Sequence, residues 1–230
     1  MIEVNNLFKS YGDKTIFEDV SCSLKNHRIY ALVGINGIGK STLLNAITQP
    51  FSFDRGKVSI DGINNRLFEV KFHFFYVPDS KEMFLNLTGA EYLKFIIQLY
   101  RQDEKIAAEK LKRLSVMFKL DRSLNEYIAN YSLGMKQKVY LMAAFLSGAS
   151  NLILDEPFNG LDPESVAILK KMLLEYQDAG NLVLFSIHNL DLAANFCDNV
   201  LFVDRERKVF QVENPRNFNE LETVFFTQCV

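Results

Sequence analysis

The chain has no tryptophan, and its three cysteines, Cys22, Cys197 and Cys229, lie far apart in a sequence of 230 residues. They form neither a C-x-x-C pair nor an even disulfide framework, which argues against a structural metal knot or a stapled secreted scaffold. A reducing cytoplasm is the expected setting, with Cys22 and Cys197 as small buried apolar residues. Long hydrophobic runs are also missing: no stretch approaches the roughly 18 to 20 apolar residues that span a bilayer. The opening Met1-Ile2-Glu3-Val4-Asn5-Asn6 lacks the basic region and apolar stretch of a secretory leader. Any membrane role is therefore expected by association. Charge of one sign is not in excess either, the formal net charge being -2, so no global field draws the protein to nucleic acid or anionic lipid. No nucleic acid is expected as a partner, and an anionic ligand has to be held by a local site.

Repeats, low-complexity tracts and Pro/Gly-rich linkers are absent as well. What is present is a globular balance, 48% hydrophobic and 23% charged residues, enough to bury a core in one domain with a substantial insertion. Twenty Phe and nine Tyr suit core packing, with a remainder available to an apolar docking surface. Residues 2 to 33 read as short strands. Ile29 to Val33 is an apolar run suited to a buried strand; it ends at Gly34, and from Lys40 to Ile47 the pattern turns helical. Lys57 to Asp61 and Phe72 to Val77 read as strands. Tyr92, Phe95, Ile96 and Leu99 stand at helical spacing, and Ile106 to Phe118 continues less regularly, so 84–148 reads as a helical insertion. Asn151 to Leu154 and Leu182 to Ser186 return to buried strands around a helix over Glu164 to Ala179. Val200 to Val203 and Lys208 to Val212 suggest a closing hairpin, and Glu213 to Val230 a short tail. This alternation indicates an α/β domain with a largely parallel sheet.

The strongest local signal is Gly34-Ile35-Asn36-Gly37-Ile38-Gly39-Lys40-Ser41, which satisfies G-x-x-x-x-G-K-[ST] between a strand and a helix. Glycines let such a loop curl so that backbone N–H groups converge on phosphate oxygens, where side chains would block the approach. The following helix presents its positive end to the same anion. Lys40 adds a charge for the β- and γ-phosphates, and Ser41 a hydroxyl for Mg²⁺. Downstream, Leu152-Ile153-Leu154-Asp155-Glu156 is an apolar strand ending in two acids, so the carboxylates emerge at the carboxyl edge of the sheet, where ligands bind. Alone, such a pair is usually a loop. Beside a phosphate loop, Asp155 is expected to hold Mg²⁺ through water and Glu156 to orient or deprotonate the attacking water. His188, in Ser186-Ile187-His188-Asn189, follows the next apolar strand.

In this order the motifs resemble the ABC ATPase family across nearly the whole chain. Gly34 to Thr42 matches the Walker A loop and Leu152 to Glu156 Walker B. Tyr131-Ser132-Leu133-Gly134-Met135-Lys136-Gln137 is similar to the family signature, usually L-S-G-G-Q, in a form recurring among bacterial export-type members. Asn159-Gly160-Leu161-Asp162 matches the D-loop, and His188 falls at the switch histidine. The resemblance implies a P-loop NTPase of ABC type, with a mostly parallel core sheet, an N-terminal antiparallel β subdomain and an inserted helical subdomain. Residues 1–83 and 149–212 would form the core with its β subdomain, 84–148 the helical subdomain, and 213–230 the tail. It implies that Tyr11 stacks on adenine, that Asn36, Gly37, Gly39, Lys40, Ser41 and Thr42 hold the phosphates, and that Lys40, Glu156 and His188 serve catalysis. Ser132 and Gly134 would cradle ATP bound on the opposing subunit, and Asp162 would act across that interface. Two chains, a homodimer, would thus close around two ATP beneath an integral membrane permease, peripheral on the cytoplasmic face.

The sequence departs from the pattern at several points. Leu133 replaces the first signature glycine, which leaves the helix entrance open provided its φ is negative, and Met135 replaces the signature glutamine. Asp79 stands where the family has a glutamine that reaches Mg²⁺ and the attacking water. It could ligate the metal, sit back from it, couple through water or merely cap a loop. Met83, Phe84, Leu85 and Leu87 fall near the groove that accepts a coupling helix in the family, and core packing is an equal alternative for them. The expected function is an ATP-hydrolysing motor of an export-type transporter. A soluble ABC ATPase of the iron–sulfur assembly kind is the alternative, and Glu156 with His188 argue against a third reading, a non-hydrolysing regulator.

Overall fold

The computed structural model describes residues 1–229. In chain order the elements are β1 (Ile2–Tyr11), β2 (Lys14–Leu24), β3 (Arg28–Val33), α1 (Lys40–Thr48), β4 (Arg55–Ile60), β5 (Ile63–Asn64), β6 (Phe74–Val77), α2 (Gly89–Leu99) and α3 (Glu104–Met117). They continue as α4 (Leu133–Ser147), β7 (Asn151–Leu154), α5 (Pro163–Asp178), β8 (Leu182–Ile187), α6 (Leu190–Phe196), β9 (Asn199–Val203), β10 (Val209–Glu213) and α7 (Phe218–Gln228). The larger sheet runs β10-β9-β3-β8-β7-β6. Every pairing in it is parallel except that of β9 with β10. The smaller sheet, β2-β1-β4-β5, is antiparallel.

Side-chain alternation along the buried strands builds two cores. On β3, Ile29, Ala31 and Val33 enter one and Tyr30 and Leu32 the other, as a period of two requires. The first core lies against the helices, and α4 contributes most of its length, Val139 to Leu146, to it. The second is shared with the antiparallel sheet and with Leu43, Leu44, Ala46 and Ile47 of α1. Because α1 is wedged between the two sheets, its amino end is fixed at the carboxyl edge of β3. Among the described residues no helix is long and apolar enough to cross a membrane.

Several expectations need adjusting. The stretch read as short strands holds two long ones, β1 and β2, of 10 and 11 residues. Register shifts at Val4/Leu7, Leu7/Lys9 and Lys9/Ser10 break the alternation that would have announced them. Phe72 ends a 3₁₀ turn (Phe68–Phe72), and the strand begins at Phe74. Within the tail, Phe218–Gln228 forms α7, with Leu221 on it and Cys229 just after it buried. Cys197 is buried as expected, whereas Cys22 is only half-buried. The apolar residues after β6 divide: Leu85 and Leu87 pack on the first core, while Met83 and Phe84 are 48% and 38% exposed.

Candidate nucleotide site

Four neighbouring strands of the parallel sheet, β3, β8, β7 and β6, release their loops at the same edge. Gly34 follows β3, His188 follows β8, Asp155 follows β7 and Asp79 lies just beyond β6. The loops enclose a cleft of about 390 Å³ lined by Asn36, Gly37, Gly39, Lys40, Ser41, Thr42, Asp79, Asp155, Glu156, Asn159 and His188. Asp79 thus faces the cleft, on an exposed stretch of chain.

The phosphate loop has the geometry an anion cradle needs. Gly39, at the N-cap of α1, has φ 125°, and a Cβ there would come within 2.9 Å of the Phe17 ring. Any L side chain is therefore both strained and blocked. No side chain caps α1. Every other α-helix among the described residues has such a cap, from Thr88, Asp103, Ser132, Asp162, Asn189 or Asn217. The first-turn amides of α1 thus lie on the cleft with their donors uncommitted to a side chain. Lys40 is buried, and its Nζ donates to the carbonyl oxygen of Gly34 at 2.9 Å. Burial lowers its pKa, and Glu156 and Asp155 act in the opposite direction.

The acidic pair is held from the neighbouring strand by a residue that the sequence reading passed over. Ser186 on β8 is fully buried; its hydroxyl donates to Asp155 Oδ1 at 2.5 Å and accepts from the Glu156 amide at 2.8 Å. A lone hydroxyl inside the apolar run Leu182 to Ile187 was the available signal, since a buried polar group must find partners. Asp155 is itself 2% exposed, with its amide bonded to the Val77 carbonyl oxygen at 2.8 Å. Glu156 sits at φ 48°, a left-handed conformation that turns its side chain sharply out of the strand direction. Its Oε2 lies 3.2 Å from His188 Nδ1. The two residues expected to serve catalysis from separate strands are therefore in contact. Asn159 also lines the cleft and carries no role in the sequence reading.

Oxygen donors on the wall suit a hard divalent cation. Mg²⁺ keeps several waters and takes one or two carboxylates together with phosphate oxygens, and Ser41, Asp79 and Asp155 lie together beside the phosphate loop. No cluster of His, Cys, Asp and Glu among the described residues forms a metal cage by itself.

Ser132, Gly134 and Asp162 form a second group outside this cleft. Ser132 caps α4, accepting from the Met135 amide at 3.2 Å. Leu133 begins the helix and is absent from the residues with positive φ, the condition set for it above. Lys138 Nζ meets Asp162 Oδ2 at 2.7 Å, and Asp162 caps α5 through the Ser165 amide. Lys138, with Ser165, holds the Asp162 carboxyl well below the usual range. The buried Gln137 donates to the Pro157 carbonyl oxygen at 2.7 Å. Tyr11 is 57% exposed at the end of β1, also apart from the cleft, with Lys9 Nζ 4.6 Å from its ring centroid. Asp54 steadies that strand end through Lys9 and Ser10.

A glycine cradle at an uncapped helix, a carboxylate pair two strands away and a parallel core define a P-loop nucleotide hydrolase. Residues 17–159 match the family described as ABC transporter, and the chain belongs to that family as an ATP-binding subunit and an ATPase. A Bacillus subtilis (strain 168) protein designated AlbC is 34% identical over 193 residues, covering 81% of this chain and 80% of its own. From the same organism, the SkfA peptide export ATP-binding protein SkfE is 30% identical over 92% of this chain and 88% of its own. A solved structure described as the ATP binding subunit of an ABC transporter superposes with a TM-score of 0.90 at 29% identity, covering 98% of this chain and 99% of that one.

Proposed function

We propose that this chain is the motor of an export-type transporter, acting as a homodimer that closes around two ATP beneath an integral membrane permease on the cytoplasmic face. In this reading 1–83 and 149–212 form the nucleotide-binding core with its β subdomain, 84–148 the helical unit carrying the signature, and 213–230 a terminal segment. The observation that carries the proposal is the separation of two half-sites. The phosphate loop, acidic pair and His188 line one cleft, while Ser132 and Gly134 lie outside it at the start of α4. A second copy is needed to bring a signature to each cleft. The name of SkfE, a peptide export ATP-binding protein, supports export.

In the cleft, Asn36, Gly37, Gly39, Lys40, Ser41 and Thr42 hold the phosphates, and Tyr11, outside it at the end of β1, holds the base. When bound, Mg²⁺ neutralises phosphate charge, with Ser41, Asp155 and Asp79 as its holding residues. Glu156 orients or deprotonates the attacking water, and His188, 3.2 Å away, fixes the Glu156 carboxylate and faces the γ-phosphate. Lys40 stabilises charge on the transferred group. Asp162 keeps the D-loop in register with the facing subunit.

The test uses a tagged Glu156→Gln variant, ATP and Mg²⁺ in gently solubilised membranes, followed by identification of what co-purifies. A polytopic membrane protein in fixed ratio to an ATP-bound dimer is the expected result. Recovery of soluble proteins alone, with the dimer intact, would move the assignment to a non-transport ABC ATPase.

A further inference from the structure

Beneath the loop that carries Asp79 lies a lysine whose burial needs an explanation. Lys81 is 4% exposed. Its Nζ donates to the carbonyl oxygens of Pro78 and of Asp79, the latter at 3.0 Å. The ammonium also stands 5.9 Å from the ring centroid of Tyr140. Burying an ammonium costs several kcal/mol unless its donors are paired and opposite charge is near. The carbonyls pair it; burial pulls its pKa down to about 8, and the charges of Asp79 and Asp155 oppose that fall.

These contacts reach in two directions. The carbonyls belong to the segment leaving β6, so the ammonium draws the backbone of Pro78 and Asp79 into one conformation. Tyr140 belongs to α4, the helix that begins with the signature, and its hydroxyl donates to the Met83 carbonyl oxygen. Phe84 then stacks on Tyr92 at 5.0 Å, and Tyr92 packs on Tyr140 at 5.3 Å. The segment from Pro78 to Phe84 is thus held internally by Lys81 and externally by α4. Asp79 is itself exposed and lines the cleft, and among its own side-chain atoms no hydrogen bond fixes its place within the described residues. What positions its carboxylate is the backbone that Lys81 clamps.

We infer that Lys81 is a positioning residue for ATP hydrolysis, bracing the backbone under Asp79 so that this carboxylate stays at the cleft in register with α4. The inference rests on the assignment of Asp79 to the hydrolytic cleft, and not on the membrane partner.

The experiment is a double-mutant cycle on the purified full-length chain, measuring ATPase kcat and KM with melting temperature as a folding control. Lys81→Met should lower kcat about tenfold with KM for ATP within about threefold, because the phosphate loop is untouched. In an Asp79→Ala background the same change should lower kcat by less than twofold, since residues acting as one unit are not additive. Lys81→Arg, which keeps charge and donors, should retain more activity than Lys81→Met. Should Lys81→Met fail to fold, Lys81→Gln carries the same cycle. An unchanged kcat in Lys81→Met, or an equal loss in both backgrounds, overturns the inference. Wild-type turnover in Asp79→Ala overturns it by a different route, removing Asp79 from the reaction while leaving the transporter assignment intact.

Discussion

Gly134 at the start of α4 and Gly160 after the acidic pair are in backbone contact: a Cβ on Gly134 would lie 2.7 Å from the Gly160 carbonyl oxygen. Gly160 has φ 75°, and a Cβ there would meet Leu133 at 3.2 Å. The signature glycine is thus required by its own chain as well as by any ligand. Gly134→Ala should push the D-loop away at a cost of about 1–3 kcal/mol, the usual range for overpacking. Turnover should fall at least tenfold while the isolated chain still binds ATP. Calorimetric titration beside a steady-state assay separates the two, and unchanged turnover would refute the contact.

Ser186→Ala removes a hydroxyl that serves two partners at once. The Glu156 amide loses its acceptor and Asp155 a donor, and a stranded buried polar group costs about 1–3 kcal/mol. For a chain of this size that is a fall in melting temperature of roughly 2–12 °C. We expect kcat to fall about tenfold, because the left-handed backbone at Glu156 loses the bond that secures it. A variant as active and as stable as wild type would leave Ser186 without a role.

The parts of the site carried by local chain were legible, and the parts carried by neighbouring strands were not. The phosphate loop, the acidic pair and the signature each lie within a few consecutive residues, so residue type and spacing exposed them. Ser186 and the Glu156–His188 contact depend on which strands lie side by side, information that resides in sheet order, and the burial of Lys81 depends on where α4 packs. The β-bulges of β1 hid its length by breaking alternation. Helix α7 is not legible because it fully buries Leu221 alone, too narrow a stripe to register as periodic.

The Lys138–Asp162 pair sets a pH-dependent contribution to stability. Its partners hold the Asp162 carboxyl below the ordinary range. A depressed carboxylate contributes fully above its unfolded value, about 3.9, and loses that contribution as pH falls through the folded one. Asp162→Ala removes a helix cap worth about 1 kcal/mol. The ion pair, half-exposed on the Asp162 side, adds less than about 1 kcal/mol. The gap in melting temperature between wild type and variant should be full near neutral pH and begin to close only below about pH 4, as pH falls towards the depressed folded value. A gap that stays constant down to acid pH would exclude the electrostatic share.

Tyr11→Ala tests the base contact. An aromatic stack contributes about 0.5–1.5 kcal/mol, so KM for ATP should rise roughly two- to tenfold with kcat nearly unchanged. Tyr11→Phe keeps the ring, and Lys9 remains beside it, so it should behave as wild type. Equal KM values for Tyr11→Ala and wild type would place the base elsewhere.

The uncapped start of α1 has a consequence for motion and heat. Six helices close their own first turns with a side chain, whereas α1 leaves that closure to whatever enters the cleft. The amides from Lys40 to Thr42 should then take up deuterium faster than those of the capped first turns, and slow when nucleotide is added, which exchange mass spectrometry would read. Because α1 packs within the second core, between the two sheets, ordering that one turn should be felt where the sheets meet. An ATPase empties and refills this cleft, so the protection of that first turn should rise and fall with each turnover.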